Sequence, residues 1–399
     1  MKKKTFYRWL VRILISVFLV WLFLEGGEKG RKIFLEASPW VGLVALLTGS
    51  FSLLSGILVA VSLWKRRFFC QWVCPLGLLQ DGVRQVRLAI RGKNGGRYRP
   101  VGMFLALLTL GTLWGGVGFL WLDPMVLLAG TGNGLNVGWL LAGILILALI
   151  FPFFWCFTVC PCGGMQDILW KIPRFWQKKR GEMAGIDSRR QFLKGTVFFI
   201  LAGVGSYVSR SITCVQAFFR PPGAVEEGLF LSRCSRCGNC VKVCPTQFLQ
   251  PVETLGEAWH TPQARLNEVG ISNTVFCQAD CVVCTQVCPT QALLPMLLMD
   301  KPRVKMASIQ LDFTRCRLYY QRECNLCEQE CPYGAISMVW SEEEYSQIPT
   351  IDDDLCTGCG RCIVSCPGEP SLDSGEEGLN AGGPKALVAI KNIPKNNTK

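Results

Sequence analysis

Sixteen of the 22 cysteines in this 399-residue chain fall into four runs that each end in Cys-Pro, and all four lie in its second half. The first run is Cys234, Cys237, Cys240 and Cys244 with Pro245; the last is Cys356, Cys359, Cys362 and Cys366 with Pro367. Both are spaced C-x2-C-x2-C-x3-C-P. Three thiolates two residues apart can wrap one iron–sulfur cubane in a tight loop, while the fourth reaches a neighbouring cubane. The proline that follows predicts a helix starting at the fourth cysteine, since the first helical turn tolerates proline. The middle runs deviate. Cys277, Cys281, Cys284 and Cys288 with Pro289 open on a longer gap, and Cys316 stands well ahead of Cys324, Cys327 and Cys331 with Pro332. Insertions before the second ligand lengthen a loop without moving the later ligands. Sixteen ligands imply four [4Fe-4S] clusters. Zinc ribbons and disulfide scaffolds also use paired cysteines, but neither needs a recurrent C-x3-C-P ending. Cys214, outside the runs, reads as a buried apolar residue.

The first half has a different character. Mean hydropathy is +0.29, and the apolar residues concentrate before residue 210. They form four segments at about 9–24, 40–64, 100–122 and 137–159, each near the length that crosses a bilayer. Trp9, Trp21, Trp40, Trp64, Trp121, Trp139 and Trp155 mark segment ends, as interfacial anchors do. Residues 1–194 carry 25 Lys and Arg against 8 Asp and Glu, and the remainder 17 against 21, so the net charge of +13 belongs to the first half. That charge sits in short flanks beside apolar runs, as a topology signal rather than a phosphate-binding face, which argues against a nucleic-acid partner. The flanks at Lys2 to Lys4, Lys65 to Arg99 and Lys171 to Arg190 are expected in the cytoplasm, and the loop holding Asp123 outside. The first segment is basic in front and short like a signal peptide. It is expected to stay as an anchor, because Glu25-Gly26-Gly27-Glu28 offers no small-x-small cleavage site.

The first half is also a duplication. Phe69-Cys70-Gln71-Trp72-Val73-Cys74-Pro75 with Gly77, Gln80 and Asp81 matches Trp155-Cys156-Phe157-Thr158-Val159-Cys160-Pro161 with Gly163, Gln166 and Asp167, at an offset of 86 residues. Each half reads as a two-helix hairpin followed by C-x3-C-P, so a pseudo-two-fold axis along the membrane normal should bring both cysteine pairs to the cytoplasmic face. Cys70, Cys74, Cys156 and Cys160 could then form one four-thiolate site for a further cluster or another metal, with Cys162 a spare. Reduced, non-ligating cysteines in a turn are the alternative.

Between the halves, Ser188-Arg189-Arg190-Gln191-Phe192-Leu193-Lys194 precedes a moderately apolar run from Gly195 to Val208. Arg189 and Arg190 sit as in a twin-arginine export signal. Clusters are assembled in the cytoplasm, so a domain bearing four of them must cross already folded, which is what that route provides. The apolar run is expected to remain as a fifth anchor. The organisation predicted is therefore an α-helical membrane domain at 1–180, four helices as a two-fold repeat, then the export motif and anchor at 181–213. An extracytoplasmic α+β ferredoxin-like domain with four cluster motifs follows at 214–380, and a basic flexible tail at 381–399. His260 is the sole histidine and reads as an exposed loop residue; a bis-histidine haem or a histidine-rich zinc or copper site cannot be built from one. No glycine-rich nucleotide fingerprint supports flavin or nicotinamide binding.

These features together resemble a fusion of two ferredoxin-type quinol dehydrogenase subunits of periplasmic nitrate reductase-like systems. The first 180 residues, with their two C-x3-C-P loops, resemble the NapH/MauN type. From residue 188 the chain resembles the NapG/MauM type: twin-arginine motif, Arg220-Pro221-Pro222-Gly223-Ala224, Phe230-Leu231, Arg236-Cys237-Gly238 and four cluster runs. One departure is that NapH-type proteins usually carry two more cluster motifs in a cytoplasmic tail, whereas residues 168–187 contain no cysteine. The resemblance implies a multi-pass protein of the bacterial inner membrane that oxidises quinol and passes electrons to an extracytoplasmic cytochrome or reductase. By analogy with other four-cluster ferredoxins, nested pairing is expected, run one with run four and run two with run three, sequential pairing being the alternative. Two rival functions stand beside it: an assembly factor supplying electrons to a metalloenzyme, and a simple membrane-anchored ferredoxin.

Overall fold

The computed structural model describes residues 3–49, 52–91, 106, 120–135, 138–151, 155–178, 218–254, 258–266, 275–368 and 385–390. Most of the apolar segment at 100–122, the expected anchor at 195–208, Arg189, Arg190 and Cys214 lie outside the described residues.

Helix α1 (Lys3–Glu25) contains 19 residues, Tyr7–Glu25, of mean hydropathy 1.8, the one described helix long and apolar enough to cross a membrane. At 1.5 Å per residue they reach about 28 Å. Leu14, Val17, Phe18, Trp21 and Leu24 are exposed along it, while Leu19 and Phe23 face the core. α2 (Gly27–Glu36) folds back on α1, with the Phe23 and Phe34 rings 5.0 Å apart.

The apolar segment at 40–64 is not one helix, as expected, but two. α3 (Pro39–Leu47) and α4 (Leu53–Trp64) pack as a hairpin. The break is local: Thr48 Oγ1 donates back to the Ala45 carbonyl at 3.0 Å, and Gly49 takes φ +94°. The segment at 137–159 likewise divides, into α8 (Gly138–Ile150) and a wide π-turn at Trp155–Val159. α5 (Phe68–Trp72), α6 (Pro75–Arg91), α7 (Pro124–Gly132) and α9 (Pro161–Lys178) complete the described helices of this half.

The duplication is visible in this arrangement. α3, α4 and α6 correspond to α7, α8 and α9, and α6 packs on α8 while α9 packs on α4, so each half embraces the other. Ser38 caps α3 and Asp123 caps α7, each followed by a proline at the first helical position. The two caps meet, with Ser38 Oγ donating to Asp123 Oδ2 at 2.7 Å; neither residue is exposed. Trp40 and Trp155, expected at interfaces, are in the core at 0% and 7% exposure. The reason is their place at starts of the paired elements rather than at segment ends facing outward.

The second half has little regular structure. α10 (Glu227–Arg233) is its longest described helix; α11 (Asn239–Lys242), α12 (Val283–Gln286), α13 (Leu326–Gln329) and α14 (Arg361–Ser365) are single turns. Three antiparallel pairs join β1 (Leu249–Pro251) to β2 (Pro262–Ala264), β3 (Ser308–Leu311) to β6 (Leu387–Ile390), and β4 (Ile336–Ser341) to β5 (Ser346–Ile351). β6 falls in the stretch expected to be a flexible tail. Its Leu387 and Ala389 are buried, on one face at period two, and Leu387 pairs with Leu311.

The halves touch through a polar joint. Asn133, at the end of α7, donates through Nδ2 to the Cys237 carbonyl and to Asn239 Oδ1, both at 2.8 Å, and accepts from Arg31. Trp121 meets Trp259 edge-on at 6.1 Å.

Candidate functional site

In each ferredoxin run, a single-turn helix presents one cysteine within its first turn. In the two regular runs the preceding residue is glycine, Gly238 at φ +75° and Gly360 at φ +81°. A side chain there would be strained, which explains C-G-x-C in both. The irregular runs place Val282 and Asn325 at this position with φ −129° and −135°, so no glycine is needed. The expected helix after Cys-Pro is absent in the first three runs; beyond Gly368 the fourth lies outside the described residues. The chain turns instead, with Gln247, Gln291 and Gly334 at φ +51°, +53° and +60° three residues past the cysteine. The prolines therefore close the ligand loop and steer it into strand or turn.

Fourth cysteines are exchanged between neighbouring runs, so the pairing is sequential and the nested expectation is corrected. Cys331 lines one hollow with Cys356, Cys359 and Cys362, and Cys366 lines another with Cys316, Cys324 and Cys327. Cys288 stands with Cys234, Cys237 and Cys240, and Cys244 with Cys277, Cys281 and Cys284. Chain proximity explains the order: runs one and two are joined through β1 and β2, and runs three and four through β4 and β5. The quartets also follow one another in space. Cys240 lies beside Cys284, the Cys277 amide donates to the Cys359 carbonyl at 2.9 Å, and Cys362 faces Cys327.

Electrostatics at the quartets pull two ways. Burial pushes Cys234 and Cys277 to about 11 and Cys237 and Cys327 to about 12, so bare thiols here stay protonated. The amides of Arg236 and Asn239 pull the other way at Cys234 and Cys237. The Leu293 and Ala335 amides donate to Cys288 and Cys331 Sγ at 3.5 and 3.3 Å. Metal ligation is what keeps a buried thiolate ionised. Among the described residues, no three His, Cys, Asp or Glu side chains converge closely enough for a single ion. A cubane, spreading four thiolates over four irons, fits the wider quartets better than one zinc with bonds of ~2.3 Å.

The helical half gathers the remaining thiols. Cys70, Cys74, Cys156 and Cys160 lie within electrostatic reach of one another. They meet inside the helical half, Cys74 and Cys160 being 4% and 3% exposed. Asp123, expected in a loop on the opposite side, faces Cys162, which is itself unexposed and beside Cys70. Gly77 and Gly163 permit this: a Cβ on either would come 2.7 and 2.8 Å from the Cys70 and Cys156 carbonyls. Arg67 Nη2 binds Asp167 at 2.6 Å and its Nη1 the Cys156 carbonyl at 3.1 Å, while Arg12 pairs with Asp81.

Residues outside the cysteine runs also shape the sites. Lys301, 2% exposed, donates through Nζ to the Gln278 and Cys281 carbonyls. Its charge holds Cys277 lower than burial alone would. Arg220 of the Arg-Pro-Pro-Gly stretch binds Glu227, Thr261 Oγ1 at 2.9 Å and the Pro262 carbonyl at 2.7 Å, with its guanidinium over Phe230. His260 is 7% exposed, not solvent-facing, because its ring lies 4.0 Å from that of Trp259.

Comparison with known proteins agrees with both halves holding cysteine sites. A 4Fe-4S binding domain model matches residues 46–94 and 134–180, a 4Fe-4S dicluster domain residues 322–369, and a further 4Fe-4S binding domain residues 230–250. The chain is 34% identical to the methylamine utilization ferredoxin-type protein MauM of Methylophilus methylotrophus, over 37% of this chain and 65% of that protein. It is 31% identical to the ferredoxin-type protein NapG of Escherichia coli K12, over 45% of this chain and 81% of NapG. With NapF of Haemophilus influenzae it shares 33% over 45% and 89%. No solved structure matches. With the quartets in place and these relatives covered over most of their length, the chain belongs to the family of ferredoxin-type electron-transfer proteins that includes MauM and NapG.

Proposed function

We propose that this protein is a multi-pass inner-membrane electron carrier that oxidises quinol and delivers electrons to an extracytoplasmic cytochrome or reductase, a NapH/MauN-like membrane half fused to a MauM/NapG-like ferredoxin half. The observation that carries the reading is an unbroken succession of cysteine sites. It starts at the thiols inside the helical half, passes Cys237 at the joint and ends at the Cys316–Cys366 quartet. α7 spans the gap between the first two: Asp123 at its start faces Cys162 and Asn133 at its end bonds the Cys237 carbonyl, about 15 Å apart along the helix for ten residue steps.

A [4Fe-4S] cluster, when bound, supplies reversible one-electron chemistry. The four exchanged quartets would each hold one, and Cys70, Cys74, Cys156 and Cys160 a fifth. The chain's own part is to bury the thiolates, donate amides to their sulfurs, and fix neighbouring quartets through shared loops. Asn133 keeps the halves in register. Buried polar groups beside the inner thiols, Asp123 and the Arg12–Asp81 and Arg67–Asp167 pairs, are where protons released from quinol leave. A mere tether needs neither buried thiols nor this joint. Twin-arginine export at Arg189 and Arg190 places the ferredoxin half outside.

The test is a spectroscopic cluster count on the detergent-purified chain with a menaquinol-oxidation assay. Clusters reduced by menaquinol are expected. Clusters present yet inert to quinol, while a soluble donor reduces them, would leave only an anchored ferredoxin.

A further inference from the structure

We propose that Gln80 and Gln166 are a matched pair of hydrogen-bond donors, each reaching from its own half to a sulfur of the other, Gln166 to Cys70 and Gln80 to Cys156. In this role they raise the reduction potential of the group those thiolates hold. The inference rests on the reading of the four inner thiols as one binding site.

The two glutamines are equivalent residues of the repeat, each five positions beyond the proline that opens α6 or α9, and are 1% and 0% exposed. Gln166 is fully engaged. Its Oε1 accepts from the Phe69 amide at 3.1 Å, which fixes the orientation of its carboxamide. Its Nε2 therefore points at Cys70 Sγ at 3.2 Å, with the Cys162 carbonyl at 3.3 Å and Cys162 Sγ at 3.6 Å. Gln80 is not engaged in the same way. Cys156 Sγ donates to its Oε1 at 2.9 Å, and its Nε2 is buried with no partner among the described residues.

An orphaned amide N–H beside a sulfur that is using up a carbonyl is an expensive arrangement in a dry interior. Ligation changes which carboxamide atom the sulfur needs. A sulfur bonded to metal has no proton and only accepts, so the Gln80 carboxamide, turned by half a rotation about its last torsion, gives Nε2 to Cys156 Sγ. Both halves then make the same contact, as their equivalence demands. The orphan is thus the mark of a site built for thiolates. Uncharged donors suit this place, because they stabilise the extra negative charge of the reduced state without forming a competing ion pair with the sulfurs.

The test uses the full chain in detergent, titrated potentiometrically with spectroscopic detection. Gln80→Leu and Gln166→Leu should each keep the iron content and lower the midpoint of one centre alone. The expected shift is on the order of tenfold in its reduction equilibrium, ~59 mV for one electron, with the other centres unmoved. Wild-type protein labelled with nitrogen-15 in glutamine side chains should show hyperfine coupling of that nitrogen to the same centre. This second measurement decides if the variants fail to fold. Unshifted potentials in folded variants, or no nitrogen-15 coupling in the wild type, overturn the inference. A Cys70→Ser, Cys156→Ser double variant separates the two levels. If it loses one centre while the glutamine variants shift nothing, only the glutamine role falls. If it loses none, the inner site itself is wrong and the glutamine role falls with it.

Discussion

The same dipeptide, Cys-Pro, does opposite things in the two halves. In the ferredoxin half it follows a single helical turn and closes a loop, and the exchanged fourth cysteine crosses to a neighbouring run. In the helical half Pro75 and Pro161 open helices of 17 and 18 residues. Ligands are then brought together not by a short loop but by two halves 86 residues apart in sequence clasping each other. The difference lies in what fills the interior. The helical half packs Phe34, Trp40, Phe69 and Met125 into one core, whereas the ferredoxin half threads its cysteines through a core of short strands. One region is held by packing and positions thiols; the other is held in large part by what its thiols bind.

The sharpest way to break this contrast is to remove iron. Chelation under reducing conditions should make the ferredoxin half protease-sensitive while the helical half keeps its far-ultraviolet helical signal, since folding of small metal-binding domains follows the bound metal. Replacing Cys240 or Cys362 by Ser should remove or convert one cluster of the four in this half. Stoichiometric zinc with an iron count near zero in the wild type would sink the cluster reading.

The contrast also extends to assembly. On the proposed export of the ferredoxin half, a half that folds around clusters is folded before it crosses, so changing Arg189 and Arg190 both to Lys should trap it inside while the helical half inserts normally. Protease added to spheroplasts reads the outcome. Digestion of the ferredoxin half from outside in cells lacking twin-arginine transport would show that another route carries it.

Within the helical half, Cys74→Ser or Cys160→Ser should lower quinol oxidation strongly while the four outer clusters keep their spectra. Here packing, not ligation, maintains the fold, so the protein should remain intact. Undiminished quinol turnover in both variants would reduce the inner thiols to a structural role and move electron entry to the joint beside Cys237.

How much was legible in the sequence follows the same division. Which cysteines gather within a run was, because cysteine spacing is a local property of a loop. The pairing of runs was not: which run receives a fourth cysteine depends on intervening strands such as β1 and β2, three residues each, too short to announce themselves. The repeat was legible from the matched Cys-Pro loops, but the hairpin within 40–64 was hidden, since an apolar run reads alike whether Gly49 breaks it or not. Hydropathy likewise could not tell the buried Trp40 from the exposed Trp64. Gln80 and Gln166 were visible as aligned residues. Their role needed the cross-packing of α6 on α8 and α9 on α4 to bring each to the other half's cysteine.

The smallest expected effect probes the joint between the halves. His260 takes φ +58°, stacks on Trp259 and faces Arg236, with Glu253 an opposing charge. Burial first, and then the Arg236 charge, lower its pKa below the ordinary 6.5. The unfolded chain therefore binds a proton near pH 6.5 that the folded chain still refuses. Stability from this group is complete above that pH and is lost as pH falls through 6.5 toward the lower folded value. His260→Asn keeps a residue that tolerates the left-handed conformation and removes the titration. Denaturant midpoints of the ferredoxin half, wild type against variant, should run parallel from pH 8 to about 7 and converge or cross below 6.5. Because Trp259 also meets Trp121, the variant should loosen the helical half's contact at every pH, by a constant amount. A gap that does not change across the window would mean that His260 titrates alike in both states and that the joint is open to water.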